Sequence, residues 1–583
     1  MSELPNSFSV RRSTGTHADV FAAVGLAKLL ASSGRPVRIT EESTSFDVKV
    51  QGAGNGPLNL SASPGYPFLK TNQKVVVPHG AVDPVDYKAE KAKVDRIKAL
   101  RQGKKLKALD KATLEAIDKE KPRPDWRLLQ VLNTLQGDET SNRVHELITK
   151  LKPGEFQKKL AAALHALAGQ EPSDLDWRAT SVQLFTPIAA KGYSRLKPDS
   201  TDRNDKTKDQ WTDPFVEWLR YQGYFAVACP FFQGSKSEHV RLLCPVPRDI
   251  SIRALTAAAD NLRAIWLPGN AAQLDSLAVL KLAEILIAHS SEYHADDVDP
   301  FDDFPLAGRS PADAVSGITI THYQSLGNAK AVSAMSTIAL PGWFPLKTRD
   351  DATAMLDILA EHQVIVRSLQ DNHSDEIGML IDYRRFLQAR GQQAVQMLVD
   401  FMSPYGSLLL RAWQQGRWLR AFRPGNFRRI VTAMATNSRL SQVLENPGFQ
   451  AVAAAVRRAT VSAQFLHANK QEHRPVRYDL FPELRRKREL PKPDPLVETV
   501  SEFIQSYNSE NARQAEILKT NPEKRSWRPP PQVTTEEFAA FVALVETIDA
   551  SIVGAMLCAY GSCREPREPE NPAMVVGTEE TGE

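Results

Sequence analysis

The strictest constraint on this chain lies in its last hundred residues, where apolar side chains recur at helical spacing. Val497, Val500, Ile504, Tyr507 and Asn511 fall three and four apart and share one face of a helix over 494–519. Phe538, Phe541, Val542, Val545, Ile548, Ile552 and Met556 do the same over 535–560. A third helix starts at Asn446, a capping residue, with Pro447 in its first turn and Phe449, Val452, Val456 and Thr460 in register. Earlier helices are expected near 351–368, 377–389 and 391–402. Long one-sided helices joined by loops must bury their apolar faces against each other, so this part predicts a helical bundle.

The first half reads differently. Thr16 caps a helix over 16–33, with Gly34 and Pro36 stopping it. VRIT (37–40) and FDVKVQ (46–51) alternate as two strands around a polar turn, and KVVVP (74–78) reads as a short third. Helices fill 88–169. A strand is expected at 181–186, a hairpin at Tyr224–Phe232 and His239–Val246, and two strands at GITITHY (317–323) and AMSTIAL (334–340). The expected fold class is therefore α+β: a mixed α/β body over 1–400 with short antiparallel strands, a C-terminal helical bundle over 401–562, and an acidic disordered tail over 563–583.

Composition narrows the function. The 583 residues are 42% hydrophobic and 24% charged, ordinary for a folded chain. No run approaches the roughly 20 apolar residues of a membrane span. Four cysteines, at 229, 244, 558 and 563, form no CxxC pair and point to a reducing compartment. A cytoplasmic protein without membrane contact is expected. There is no Walker A loop, no GxGxxG and no GxSxG elbow, so the chain is read as non-catalytic, with no cofactor and no metal.

The net charge of +4 hides uneven patterning. Residues 88–123 hold thirteen Lys or Arg against six Asp or Glu. Arg411 to Arg429, RAWQQGRWLRAFRPGNFRR, holds six arginines and no acid, interleaved with Trp413, Trp418, Phe422 and Phe427. Guanidinium forks match phosphate oxygens, and arginine and aromatic planes both stack on bases. The plainer reading is an amphipathic helix with tryptophans inward and arginines in water. Nucleic-acid backbone contacts are assigned to Arg417, Arg420, Arg423, Arg428, Arg429, Arg457, Arg458, Arg485 and Arg486. A long cationic loop at 191–208 supplies a reader of base edges through Lys191, Arg195 and Asn204, with the 233–237 turn as rival through Gln233 and Lys236.

Two acidic–histidine groupings could hold metal instead. His17 and Asp19 sit at a helix start, where capping is the simpler account. His289 and His294 stand near Glu292, Asp296, Asp297, Asp299, Asp302 and Asp303, but match neither HExxH nor an EF-hand loop. A metal-dependent nuclease or phosphohydrolase using His289, His294 and Asp296 is the alternative reading.

Four passages carry a family resemblance: VQLFTPIAAKGYSRLKPDST (182–201), GITITHYQSLGNAKAVSAMSTIALPGW (317–343), LENPGFQAVAAAVRRATVSAQ (444–464), and VRYDLFPELRRK with FIQSYNSENARQ (476–487 and 503–514). Together they resemble the large subunit of a type I CRISPR Cascade surveillance complex, in antiviral defence. The resemblance implies partners: a CRISPR guide RNA, target double-stranded DNA, other Cascade subunits and a helicase-nuclease effector. It implies PAM recognition in the duplex beside the target, promotion of the R-loop, and a bundle that lies along the target and displaced strands. It also implies that the bundle can be made separately, and Met434 would start such a fragment.

Overall fold

A computed structural model describes residues 6–51, 60, 67–77, 83–102, 109–135, 138–169, 179–180, 184–185, 187, 211–233, 239–265, 267, 271–294, 298–301, 304–326, 329–370, 373–435, 438–468, 475–490, 492–520 and 531–564. The fold is α+β, with many helices and several short, mostly antiparallel sheets. Two compact units divide it. One holds residues up to 266 with 282–340, and the other 267–281 with 341 onward.

In the first unit, the strands Ser7–Arg11, Ser45–Val50, Val37–Glu41 and Asp249–Ser251 lie side by side in that order. A second antiparallel sheet runs Ala329–Ala339, Val315–Leu326, His239–Pro247, Cys229–Gln233. The helix His17–Ala31 is buried on nearly every face, as its almost unbroken apolar run requires. Thr16 caps it, its hydroxyl accepting the Ala18 amide. It crosses the helix Pro214–Val227 at two glycines. A Cβ on Gly25 would sit 1.9 Å from the Leu219 carbonyl oxygen, and one on Gly223 2.0 Å from that of Phe21. Only hydrogen fits between the two backbones.

Several boundaries differ from expectation. Tyr224–Val227 continues the helix rather than opening the hairpin, because Tyr224 packs edge-on against Phe21 and Phe225 lies tilted against Tyr221. KVVVP forms no strand over its described residues, and Val76 is 83% exposed with nothing to cover it. Pro67–Lys70 pairs with Asp83–Asp86 instead. At the expected 181–186 strand, Leu184 and Phe185 form a buried turn.

In the second unit, helices Arg349–Ser368, Ser374–Gln388 and Gly391–Gln414 precede the arginine segment, and Pro424–Met434 follows within it. Asn446 caps Pro447–Arg457 by accepting the Phe449 amide. A π-turn, Arg458–Ser462, follows it directly. The 535–560 periodicity is broken at Asp549 into Thr535–Ile548 and Ala550–Gly561, and Asp549 caps the second piece. The expected boundary at 400 falls inside Gly391–Gln414, whereas the units divide after Leu340. The reason is electrostatic as well as apolar, since helices between 349 and 388 supply the acids that hold the arginine segment. Of the expected acidic tail over 563–583, Cys563 is buried and the Arg564 amide is bonded to the Phe422 carbonyl, so the ordered chain runs past the expected start, and 565–583 lie outside the described residues.

Candidate nucleic-acid interface

Arg411–Arg429 is not one helix. Gly391–Gln414 ends in a left-handed turn at Gly416 (φ +76°), and the Arg417 amide reaches back to the Ala412 carbonyl at 2.8 Å. This is a Schellman-type stop that glycine favours. An irregular strip then runs to Arg423. The Trp413 indole N–H donates to the Leu419 carbonyl at 2.8 Å, the Tyr405 hydroxyl to that of Arg420 at 2.7 Å, and the Arg564 amide to that of Phe422 at 2.7 Å. Leu419 and Phe422 point inward, and Phe422 meets His362 edge-on. Trp418 points outward, contrary to the inward tryptophans expected of a helix.

The arginines divide into two sets. Arg417 donates from Nη1 and Nη2 to the two carboxylate oxygens of Glu376, each at 2.6 Å, and to the Ser368 carbonyl at 2.8 Å. Burial works against the Glu376 charge, yet Arg417 holds that carboxyl below its ordinary range. Arg423 reaches Asp357 at 2.5 and 2.7 Å, and its amide donates to Glu361 at 3.0 Å. Burial pushes Glu361 up to about 8 despite the pull of Arg423 and Arg420. Arg429 pairs with Asp351 at 2.6 Å and lies over the Phe344 ring. Arg457 donates to the Tyr560 carbonyl and sits 5.0 Å above that ring. Four residues expected on a nucleic-acid backbone, Arg417, Arg423, Arg429 and Arg457, are thus engaged within the protein.

The second set faces outward or sideways. Arg411, Arg428 and Arg486 are exposed, and Arg420, Arg458 and Arg485 half-buried. None of the six forms an ion pair among the described residues. Arg428 donates a long hydrogen bond to the Tyr560 hydroxyl, at 3.5 Å. Sequence reasoning gave all the arginines one role because partners 41 to 78 residues away leave no local trace. It named Arg411 and Trp418 in the segment but assigned neither of them a contact.

The expected base readers are less accessible to description. Lys191, Arg195, Asn204 and Lys236 lie outside the described residues. Gln233 ends the strand Cys229–Gln233 and pairs with His239. His239 pairs in turn with Gln324, and Leu326 with Ala329, so the described ends of these four strands meet at one end of the sheet. That end carries His239 stacked on His322, with His322 Nδ1 2.6 Å from the Ser333 hydroxyl.

Among the described residues, neither acidic–histidine grouping gathers a metal site. His17 is fully buried, Nε2–H donating to the Leu184 carbonyl and Nδ1 accepting from Thr321, both at 2.8 Å. Burial lowers its pKa to about 4. Asp19 accepts the amides of Thr14 and Gly15. His289 Nδ1 donates to the Asp299 carbonyl and its ring stacks on Phe301 at 4.4 Å, while Glu292 accepts the Leu306 amide. These side chains fold their loop. Asp296, Asp297, Asp302 and Asp303 lie outside the described residues, and among those described no group of three metal-ligating side chains comes together.

No family model and no curated protein matches the sequence. Among the described residues, no helix is long and apolar enough to cross a membrane.

Proposed function

We propose that this protein is a non-catalytic nucleic-acid-binding subunit, the large subunit of a guide-RNA-directed complex of the type I CRISPR Cascade kind. In that role it reads a short motif in duplex DNA beside the target, promotes R-loop formation and recruits the helicase-nuclease. The observation that carries the binding role is the set of arginines left over after internal pairing. Arg411, Arg420, Arg428, Arg458, Arg485 and Arg486 form no ion pair among the described residues, whereas Arg417, Arg423, Arg429 and Arg477 of the same unit each meet a carboxylate. Unneutralised guanidinium groups gain most from phosphates, whose counterions they displace. Motif reading is assigned to the sheet end where Gln233, His239 and Gln324 lie side by side.

The test is co-expression with the genes that neighbour it. The chain is expected to purify with RNA and several other subunits, and its affinity for duplex DNA to fall steeply with salt. Purification as a monomer free of RNA would count against the assembly. A flat salt response would count against the phosphate contacts.

A further inference from the structure

The irregular strip carries a finer assignment, which rests on the nucleic-acid-binding reading above. Trp418 is 51% exposed and is the one aromatic among the described large apolar side chains that stand open to solvent. Its ring lies parallel to that of Trp413, 4.6 Å away and tilted by 5°. Trp413 is buried and fixed by its hydrogen bond to Leu419. Phe465 meets both indoles edge-on, at 5.6 and 6.2 Å. Trp418 therefore has one face covered and the other open.

The backbone that presents it is held from both sides. Arg417, the preceding residue, is clamped to Glu376 and Ser368. Leu419, the following one, is buried and bonded to Trp413. A ring already ordered loses little freedom when a ligand stacks on it. The surrounding segment supplies Arg411 and Arg420 and not one acid.

We infer that Trp418 is a preformed platform for a single unstacked nucleobase, with the strand's phosphates drawn to the neighbouring arginines. The occupant is a single strand. Bases inside a duplex already have both faces against their neighbours, so an open indole face has nothing to receive from it. The platform is complete in this chain and needs no partner subunit to form.

Binding of the full chain to labelled oligothymidylate and to a hairpin duplex of matching charge tests this. Trp418→Ala is expected to weaken single-strand binding about tenfold and leave duplex binding within about twofold. Trp418→Phe keeps an aromatic face and should remain within about threefold of wild type. Stacking releases no counterions, so the salt dependence of Trp418→Ala should match wild type, while Arg428→Ala flattens it. An unchanged melting midpoint for Trp418→Ala excludes unfolding as the cause. Equal single-strand affinity in Trp418→Ala and wild type would overturn the platform, as would an equal loss on duplex or a wild-type chain that does not hold the oligomer. Continued co-purification with RNA under any of those results would leave the broader function standing and remove only the platform.

Discussion

Two stretches of this chain are comparably basic in sequence and opposite in construction. Over 87–123, apart from Arg123, which reaches Asp83 40 residues back, the ion pairs join a cation to an acid of its own or a neighbouring helix. Lys93 pairs with Glu90 and Lys121 with Asp118, each three residues apart, and Arg96 crosses to Glu120 between adjoining helices. Over 411–429, the pairs span 41, 66 and 78 residues. Local pairs can form in an isolated helix and contribute little. Distant pairs exist only once the whole unit is folded, and they fix an irregular strip that has no ladder of its own. Charge density alone does not separate these cases; the distance to the partner does.

The largest test of that contrast is Arg417→Ala. It strands the Glu376 carboxylate, which is 3% exposed. A loss of about 3 kcal/mol is expected for the helical unit, read from its denaturant midpoint. A loss near zero would mean the strip is held by Leu419 and Phe422 alone.

Next comes a pH effect. Below about 4.5 Glu361 is protonated in both folded and unfolded chains. Between there and about 8 the unfolded chain releases the proton and the folded one keeps it. Stability should therefore decline as pH rises through that window. Melting curves from pH 5 to pH 9 should drop by several degrees, and Glu361→Gln should remove most of the drop. His17 acts oppositely. Its neutral form is favoured in the fold, so its contribution is complete above about 6.5 and is lost as pH falls toward about 4.

Smaller again is the joint change Arg428→Ala with Arg486→Ala. It should leave melting unmoved and reduce the slope of log affinity against log salt by about one for each arginine, measured on duplex DNA. The smallest is Arg96→Ala, whose exposed pair with Glu120 should leave both the midpoint and DNA binding where they were.

What the sequence made legible was what is local. Thr16 and Asn446 cap helices by their own side chains, and the period-two runs at 317–323 and 334–340 became paired strands. The helical stripe over 494–519 became Asp494–Thr520. What escaped was what depends on distant partners. Tyr224 and Phe225 have strand-like character but stay helical because Phe21 and Tyr221 are there to receive them. The run at 535–560 keeps its apolar period across Asp549, yet the chain breaks there and Asp549 caps the helix Ala550–Gly561. At the candidate site the basic segment was visible, but not which arginines were already matched. The exposure of Trp418 depended on a turn at Gly416 that a helical period conceals.

Residues 267–281 belong to the second unit, although residues 282–340 of the first are made before the chain returns to it. Gln273 donates its side-chain amide to the carbonyls of Val366, Arg367 and Leu369, and the fully buried Asp275 pairs with Arg384. On the ribosome, these polar groups must wait until residue 384 has emerged. At about 5–20 residues per second that interval lasts several seconds. A fragment beginning at Met434 would lack both these groups and the helices that meet them. Synthesis order thus leaves the helical unit's earliest segment dependent on its later ones, and a truncated product would inherit an unfinished core rather than a smaller version of the whole.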